Sequence, residues 1–202
     1  MMIVALGCVP HDLEITCFGT LAKYVRDGHD VCLIIDQRKE LWTKEISNSM
    51  MASAKDIGIS KIYFVKGLSC CSVTQQNVMK LREHIETLKP TIAIFPSIRT
   101  RDHKRRIFAR SCLLACRGVE NIMMYDPQKN NNFHPTIYSI MTRELKVKES
   151  CLEYYYKSVS KNKILKKNMM LLHKSNAVHA GIKAPVEAFE TNRVLLLDKA
   201  GF

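Results

Sequence analysis

The sequence predicts an α/β protein built on a Rossmann-like, mostly parallel sheet with helices on both faces. Two observations carry this. Short, continuously apolar runs such as Ile3-Val4-Ala5-Leu6 and Val31-Cys32-Leu33-Ile34-Ile35 read as strands buried on both sides. Between such runs lie longer stretches of helical periodicity, closed by Gly28, Gly58, Pro90 and Gly118. Strand and helix alternating over short linkers is the pattern of consecutive β-α-β units.

Each element follows from the same two signals. Ile3 to Cys8 is the first strand, and Leu13 to Arg26 a helix stopped at Asp27-Gly28. Val31 to Ile35 is the second strand, followed by a helix from Trp42 to Ile57. Lys61 to Val65 is the third strand, with a helix from Gln75 to Leu88 ended by Lys89-Pro90. Thr91 to Phe95 is the fourth strand, and Asp102 to Arg117 the helix after it. Ile122 to Tyr125 is a short fifth strand. Beyond it come a polar loop from Asp126 to Phe133, a strand-like stretch from Thr136 to Ile140, and helices over Glu144–Tyr156 and Lys161–His173. Val186 to Leu197 completes the chain as one or two strands. No linker is long enough to divide the chain, so residues 1–202 are expected to form a single domain.

Composition narrows the partners. A charge of +12 favours anionic ligands, and a hydrophobic fraction of 47% argues for a full core rather than disorder. The basic clusters are not interleaved with aromatic residues, so nucleic acid is not an expected partner. No apolar run reaches the ~18 residues of a membrane span. Met1 to Leu6 lacks the basic start of a secretory signal, and the eight cysteines include no C-x-x-C pair. They read as reduced, mostly buried thiols of a soluble cytoplasmic protein.

Parallel sheets carry their chemistry at the carboxyl ends of strands. Two loops there hold the right residue types. Pro10-His11-Asp12-Leu13-Glu14 follows the first strand, and Arg99-Thr100-Arg101-Asp102-His103 follows the fourth. Zinc hydrolases use three ligands of His and carboxylate type plus an open position for water. His11, Asp12 and His103 supply such a set if the loops converge. The alternatives are ordinary. Asp102 is placed to cap a helix, and the cations Arg99, Arg101, Lys104, Arg105 and Arg106 form either an anion anchor or a solvated face. His29, His84, His134, His173 and His179 lack a partner at ligand spacing and read as surface or internally satisfied residues. Trp42 reads as a plug at the core edge, and Tyr154-Tyr155-Tyr156 as half-buried helix packing.

An ordered series of motifs adds to this. Cys8-Val9-Pro10-His11-Asp12-Leu13 is followed by Phe18-Gly19-Thr20-Leu21-Ala22, then Gly28-His29-Asp30-Val31. Thr100-Arg101-Asp102-His103, Tyr125-Asp126-Pro127, Phe133-His134-Pro135-Thr136 and Glu187-Ala188-Phe189 come later. In that order they resemble the LmbE/PIG-L family of zinc-dependent sugar N-deacetylases, over nearly the whole chain. The resemblance implies that Asp12 and His103 are metal ligands, that zinc is the cofactor, and that the substrate is an N-acetylglucosamine-type sugar or glycoconjugate. It also exposes departures. The third ligand position holds Val9, the general-base position His11, and the oxyanion position Thr100. In one reading His11 becomes the third ligand and a base comes from Glu14 or Asp102. In the other the chain is a catalytically silent protein that keeps the fold and binds a sugar or a protein partner. Arg99 and Arg101 are the expected substrate anchors, suited to an anionic ligand, and a homo-oligomer is compatible with the same reading.

Overall fold

The computed structural model describes residues 1–38, 40–127, 132–158 and 163–194. The elements are β1 (Met2–Gly7), α1 (Asp12–Thr16), α2 (Phe18–Arg26), β2 (Asp30–Asp36), α3 (Lys44–Asp56), β3 (Lys61–Val65), α4 (Gln75–Leu88) and β4 (Ile92–Pro96). They continue as α5 (His103–Ala115), β5 (Asn121–Tyr125), β6 (Ile137–Ile140), α6 (Glu144–Ser158), α7 (Lys163–Ala180) and β7 (Val186–Arg193). The seven strands lie in the order β3-β2-β1-β4-β5-β7-β6. The first five are parallel, and β7 runs antiparallel to both β5 and β6.

Alternate residues of one strand enter two different cores, which is why the central strands are apolar throughout. Ile3, Ala5, Leu33 and Ile35 pack with Leu13, Phe18, Leu21, Met50 and Ala54 on the face covered by α1, α2 and α3. Val4, Leu6, Cys32, Ile34 and Phe95 pack with Leu81, Ile85, Phe108 and Cys112 on the face covered by α4 and α5. Trp42 joins the first of these cores. Of the eight cysteines, all free, six are buried; Cys70 is partly exposed and Cys71 fully so.

Three departures from the sequence reading have local causes. The first helix breaks at Cys17, whose φ of −137° leaves the helical region. The Thr16 hydroxyl donates back to the Asp12 carbonyl at 2.5 Å, a bond that bends helices. The last helix runs on past His173 to Ala180 because Asn176 and Ala177 are buried. It ends at Gly181, whose φ of 67° is the left-handed conformation that glycine adopts without strain. The terminal segment is one described strand; Leu195 to Leu197, like Asn130, Asn131 and Lys161, lie outside the described residues, as do the side chains of Tyr155 and Tyr156. No helix among the described residues is long and apolar enough to cross a membrane.

The strand order sets the position of the site. β1 lies between β2 and β4, so the chain leaves it toward opposite edges of the sheet. That reversal opens a crevice at the carboxyl ends of β1 and β4. Residues 8–14 and 97–103 face each other there.

Candidate functional site

Gly7 ends β1 and lets α1 fold back against it; a Cβ at this position would lie 3.0 Å from Leu13 Cγ. The turn is closed by the Asp12 N–H donating to the Val9 carbonyl at 3.3 Å. His11 occupies the cap position of α1 with φ of 75°, a left-handed conformation that costs an L residue about 1–2 kcal/mol. Burial lowers its imidazole to a pKa of about 4, so the ring is neutral at physiological pH. Val9 packs with the core on the α4 and α5 face.

Asp12 opens α1 and is 2% exposed. Its two carboxylate oxygens are both taken by one side chain of α5. Arg105 Nε donates to Oδ2 at 2.8 Å and Nη2 to Oδ1 at 2.9 Å. This is the bidentate fork, in which a planar guanidinium satisfies a carboxylate with two parallel bonds. Burial pushes the Asp12 carboxyl above its ordinary value, and Arg105 pulls it back. Burial also works against the Arg105 charge, but the bonds to Asp12 outweigh it and hold the guanidinium protonated.

The second loop is held by the same helix. Asp102 caps α5, accepting the Arg105 N–H at 2.7 Å, and its other oxygen lies 3.6 Å from Arg105 Nη1. His103 starts the helix at the surface. Its Nδ1 lies 3.3 Å from Arg106 Nη2 and its Nε2 3.3 Å from the Cys71 carbonyl. A guanidinium only donates and a carbonyl only accepts, so the proton sits on Nε2 and both ring nitrogens are engaged. Thr100 is fully buried, and its hydroxyl oxygen has no hydrogen-bond partner among the described residues. Its carbonyl accepts from Arg106 Nη1 at 3.1 Å.

The two expected anchors diverge. Arg99 is half exposed and pairs with Glu190 at 3.2 Å. Glu190 also accepts from the Ser97 hydroxyl at 2.7 Å and the His134 N–H at 2.7 Å, tying β7 to the loop after β4. Arg101 is exposed and lines a groove of about 940 Å³ with Pro127 and the α7 residues Asn168, Leu171, Lys174 and Val178.

The candidate ligands do not form a cage for zinc as arranged. A divalent ion on Asp12 would share the carboxylate with a fixed guanidinium, and the like charges repel. Both His103 nitrogens are bonded elsewhere, and Val9 offers no donor atom. Among the described residues, no group of three or more His, Cys, Asp or Glu side chains gathers to hold a metal ion. The loops therefore meet as the topology requires, but Asp12 meets Arg105 rather than His103.

Arg105 stood in the sequence as one cation in a basic cluster, and no spacing marks it as the partner of Asp12. A second pairing went unmarked as well. Glu187 of β7 is fully buried and accepts from the Gly19 N–H at 2.9 Å, the Thr20 N–H at 2.6 Å and the Thr20 hydroxyl at 2.5 Å. It also pairs with the fully buried Lys148 of α6. Burial lowers the Lys148 pKa, and Glu187 raises it in part. Near Lys148, His173 takes the internal one of its two expected readings and is fully buried. Its Nδ1–H donates to the Val186 carbonyl at 3.1 Å, and burial, aided by the Lys148 charge, lowers its pKa to about 2.

No protein-family model matches the chain, and no curated protein is similar to it in sequence. Solved structures do match. The conserved protein TT1542 from Thermus thermophilus superposes with a TM-score of 0.81 at 16% identity, over 100% of this chain and 98% of that one. GalB, the 4-carboxy-2-hydroxymuconate hydratase from Pseudomonas putida, gives 0.79 at 9% identity, over 99% of each chain. The N,N′-diacetylchitobiose deacetylase from Pyrococcus horikoshii gives 0.74 at 13%, over 94% of this chain and 83% of that one. At these identities the likeness is one of fold, an LmbE-like α/β fold that a deacetylase and a hydratase share. A hydratase and a deacetylase on one scaffold show that the fold does not fix the reaction.

Proposed function

We propose that this chain, which carries the fold of sugar deacetylases, binds an amino sugar or glycoconjugate in the crevice without hydrolysing it. The observation that supports the reading is the Arg105 fork on both oxygens of Asp12. A deacetylase of this type needs that carboxylate for a metal that polarises the amide and activates water. Here the carboxylate serves a structural ion pair instead. His11 adds to the argument, because a neutral imidazole with a pKa of about 4 has little proton affinity at neutral pH. Loss of a general base alone costs roughly 10²–10⁴-fold in rate. Arg101 and the groove beside it supply the recognition surface, and its cations suit a ligand with an acidic group.

The test measures acetate release and binding together. With zinc supplied, N-acetylglucosamine and N,N′-diacetylchitobiose are expected to release acetate no faster than in buffer. One of them, or an acidic derivative, is expected to bind saturably, and Arg101→Ala to weaken that binding. Acetate release that Asp12→Asn abolishes would contradict the proposal, as would a lack of binding to every amino sugar tried.

A further inference from the structure

A second cavity opens on the same end of the sheet, at the carboxyl ends of β2 and β3. It measures about 450 Å³ and is lined by Gln37, Arg38, Glu40, Trp42, Lys66 and Leu68, among others. That volume lies within the range of small-molecule pockets.

Arg38 is 5% exposed. Its Nη2 donates to the Cys8 carbonyl at 3.0 Å, and its Nε lies 3.0 Å from Asp36 Oδ2. Its Nη1 is buried without a hydrogen-bond partner among the described residues. The same holds for Nε1 of Trp42 and Oδ1 of Asp36. Buried polar atoms are almost always bonded, so unused donors from two residues on the wall of one cavity call for an acceptor. Gln37 bonds to neither of them; its amide nitrogen donates to the Ser47 hydroxyl at 3.1 Å. Lys66 adds an exposed cation, and Glu40 is the opposing carboxylate on the wall. Asp36 engages the guanidinium through Nε and leaves its fork incomplete. A guanidinium edge, an indole N–H and an ammonium together are complementary to an oxyanion.

We propose that this cavity is a second ligand site, taking a small molecule through its carboxylate or phosphate group onto Arg38 Nη1 and Trp42 Nε1. Lys66 provides longer-range attraction. The site does not depend on how the Asp12 crevice is read, and it stands if that reading fails.

Trp42 is the only tryptophan in the chain, so tryptophan emission reports on this one residue of the cavity wall. Titration with glucose 6-phosphate and with citrate is expected to give a saturable change in emission. Glucose, and sodium chloride at matched ionic strength, are expected to give none. The tighter of the two acids identifies phosphate or carboxylate as the preferred group. Trp42→Phe keeps an aromatic ring but removes the donor, and calorimetry is expected to show affinity falling about tenfold. Lys66→Ala is expected to weaken binding several-fold and to make it less sensitive to salt. Arg38→Gln is expected to abolish binding. That variant also leaves Asp36 without its ion pair, so the two milder variants carry the test whether or not it folds. No saturable response beyond the chloride control would overturn the proposal. So would calorimetric affinities that neither Trp42→Phe nor Lys66→Ala lowers.

Discussion

Arg105→Ala is expected to lower the unfolding free energy by about 3–5 kcal/mol, the usual result of removing one member of a buried ion pair. The loss arises because Asp12, 2% exposed, loses both donors, and at neutral pH its carboxyl must either carry an uncompensated buried charge or take up a proton. Arg105→Lys should recover only part of it, since an ammonium cannot reproduce the two parallel bonds. Changing both partners, Asp12→Asn with Arg105→Leu, should recover most of it, because no buried charge remains. The pH dependence has a definite sign. Burial already raises the Asp12 pKa, and without Arg105 nothing opposes that rise. A carboxyl raised in the folded state contributes stability below its unfolded pKa and loses it as pH rises through the folded one. The variant should therefore be weakest relative to the parent at neutral pH and converge on it as the solution is acidified. Urea unfolding across pH checks both statements. A loss below about 1 kcal/mol at neutral pH is the value of a solvated surface pair and would contradict the burial argument.

Glu187→Ala is expected to cost at least as much, about 3–5 kcal/mol from the ion pair alone. The substitution strips Lys148 of its counter-ion and also removes the acceptor for Gly19, Thr20 and the Thr20 hydroxyl. Those N–H groups lie in the first turn of α2, where a carboxylate is favoured by the helix dipole. One side chain thus joins β7, α2 and α6. Glu187→Gln isolates the charge from the hydrogen bonds, and Glu187→Gln with Lys148→Met should be markedly more stable than Glu187→Ala. Lys148 is held with a lowered pKa, so Glu187→Ala should fare better at high pH, where the amine is neutral. Thermal and urea unfolding of the three variants measures the effect. Equal stability of Glu187→Ala and the parent would mean that the pair is not isolated from water.

The parallel half of the fold was legible because a strand buried on both faces needs an unbroken apolar run, and Ile3 to Leu6 or Val31 to Ile35 can serve little else. β3 and α4 carry the same bounds in sequence and structure for a related reason: Thr74 caps α4, and Lys89-Pro90 stops it. The antiparallel placement of β7 was not legible, since a strand buried over five successive residues reads the same in either direction. The crevice itself followed from topology. Its content did not. Asp12 and His103 carry the motif, but whether a side chain three residues after a helix cap turns toward α1 or toward solvent is decided by packing that spacing does not encode. The burial of Lys148 is not legible, because a lysine in a helix of alternating charge reads as surface. Only the fold shows it beneath β7 with Glu187 beside it.

The central claim is that Arg105 provides the positive charge on Asp12 and stands in the way of a metal. Zinc stoichiometry by equilibrium dialysis at neutral pH tests it most directly. The native chain is expected to retain close to no zinc, while Val9→His with Arg105→Ala, which frees Asp12 and restores an imidazole, is expected to gain affinity. One zinc per native chain, lost on Asp12→Asn, would contradict it.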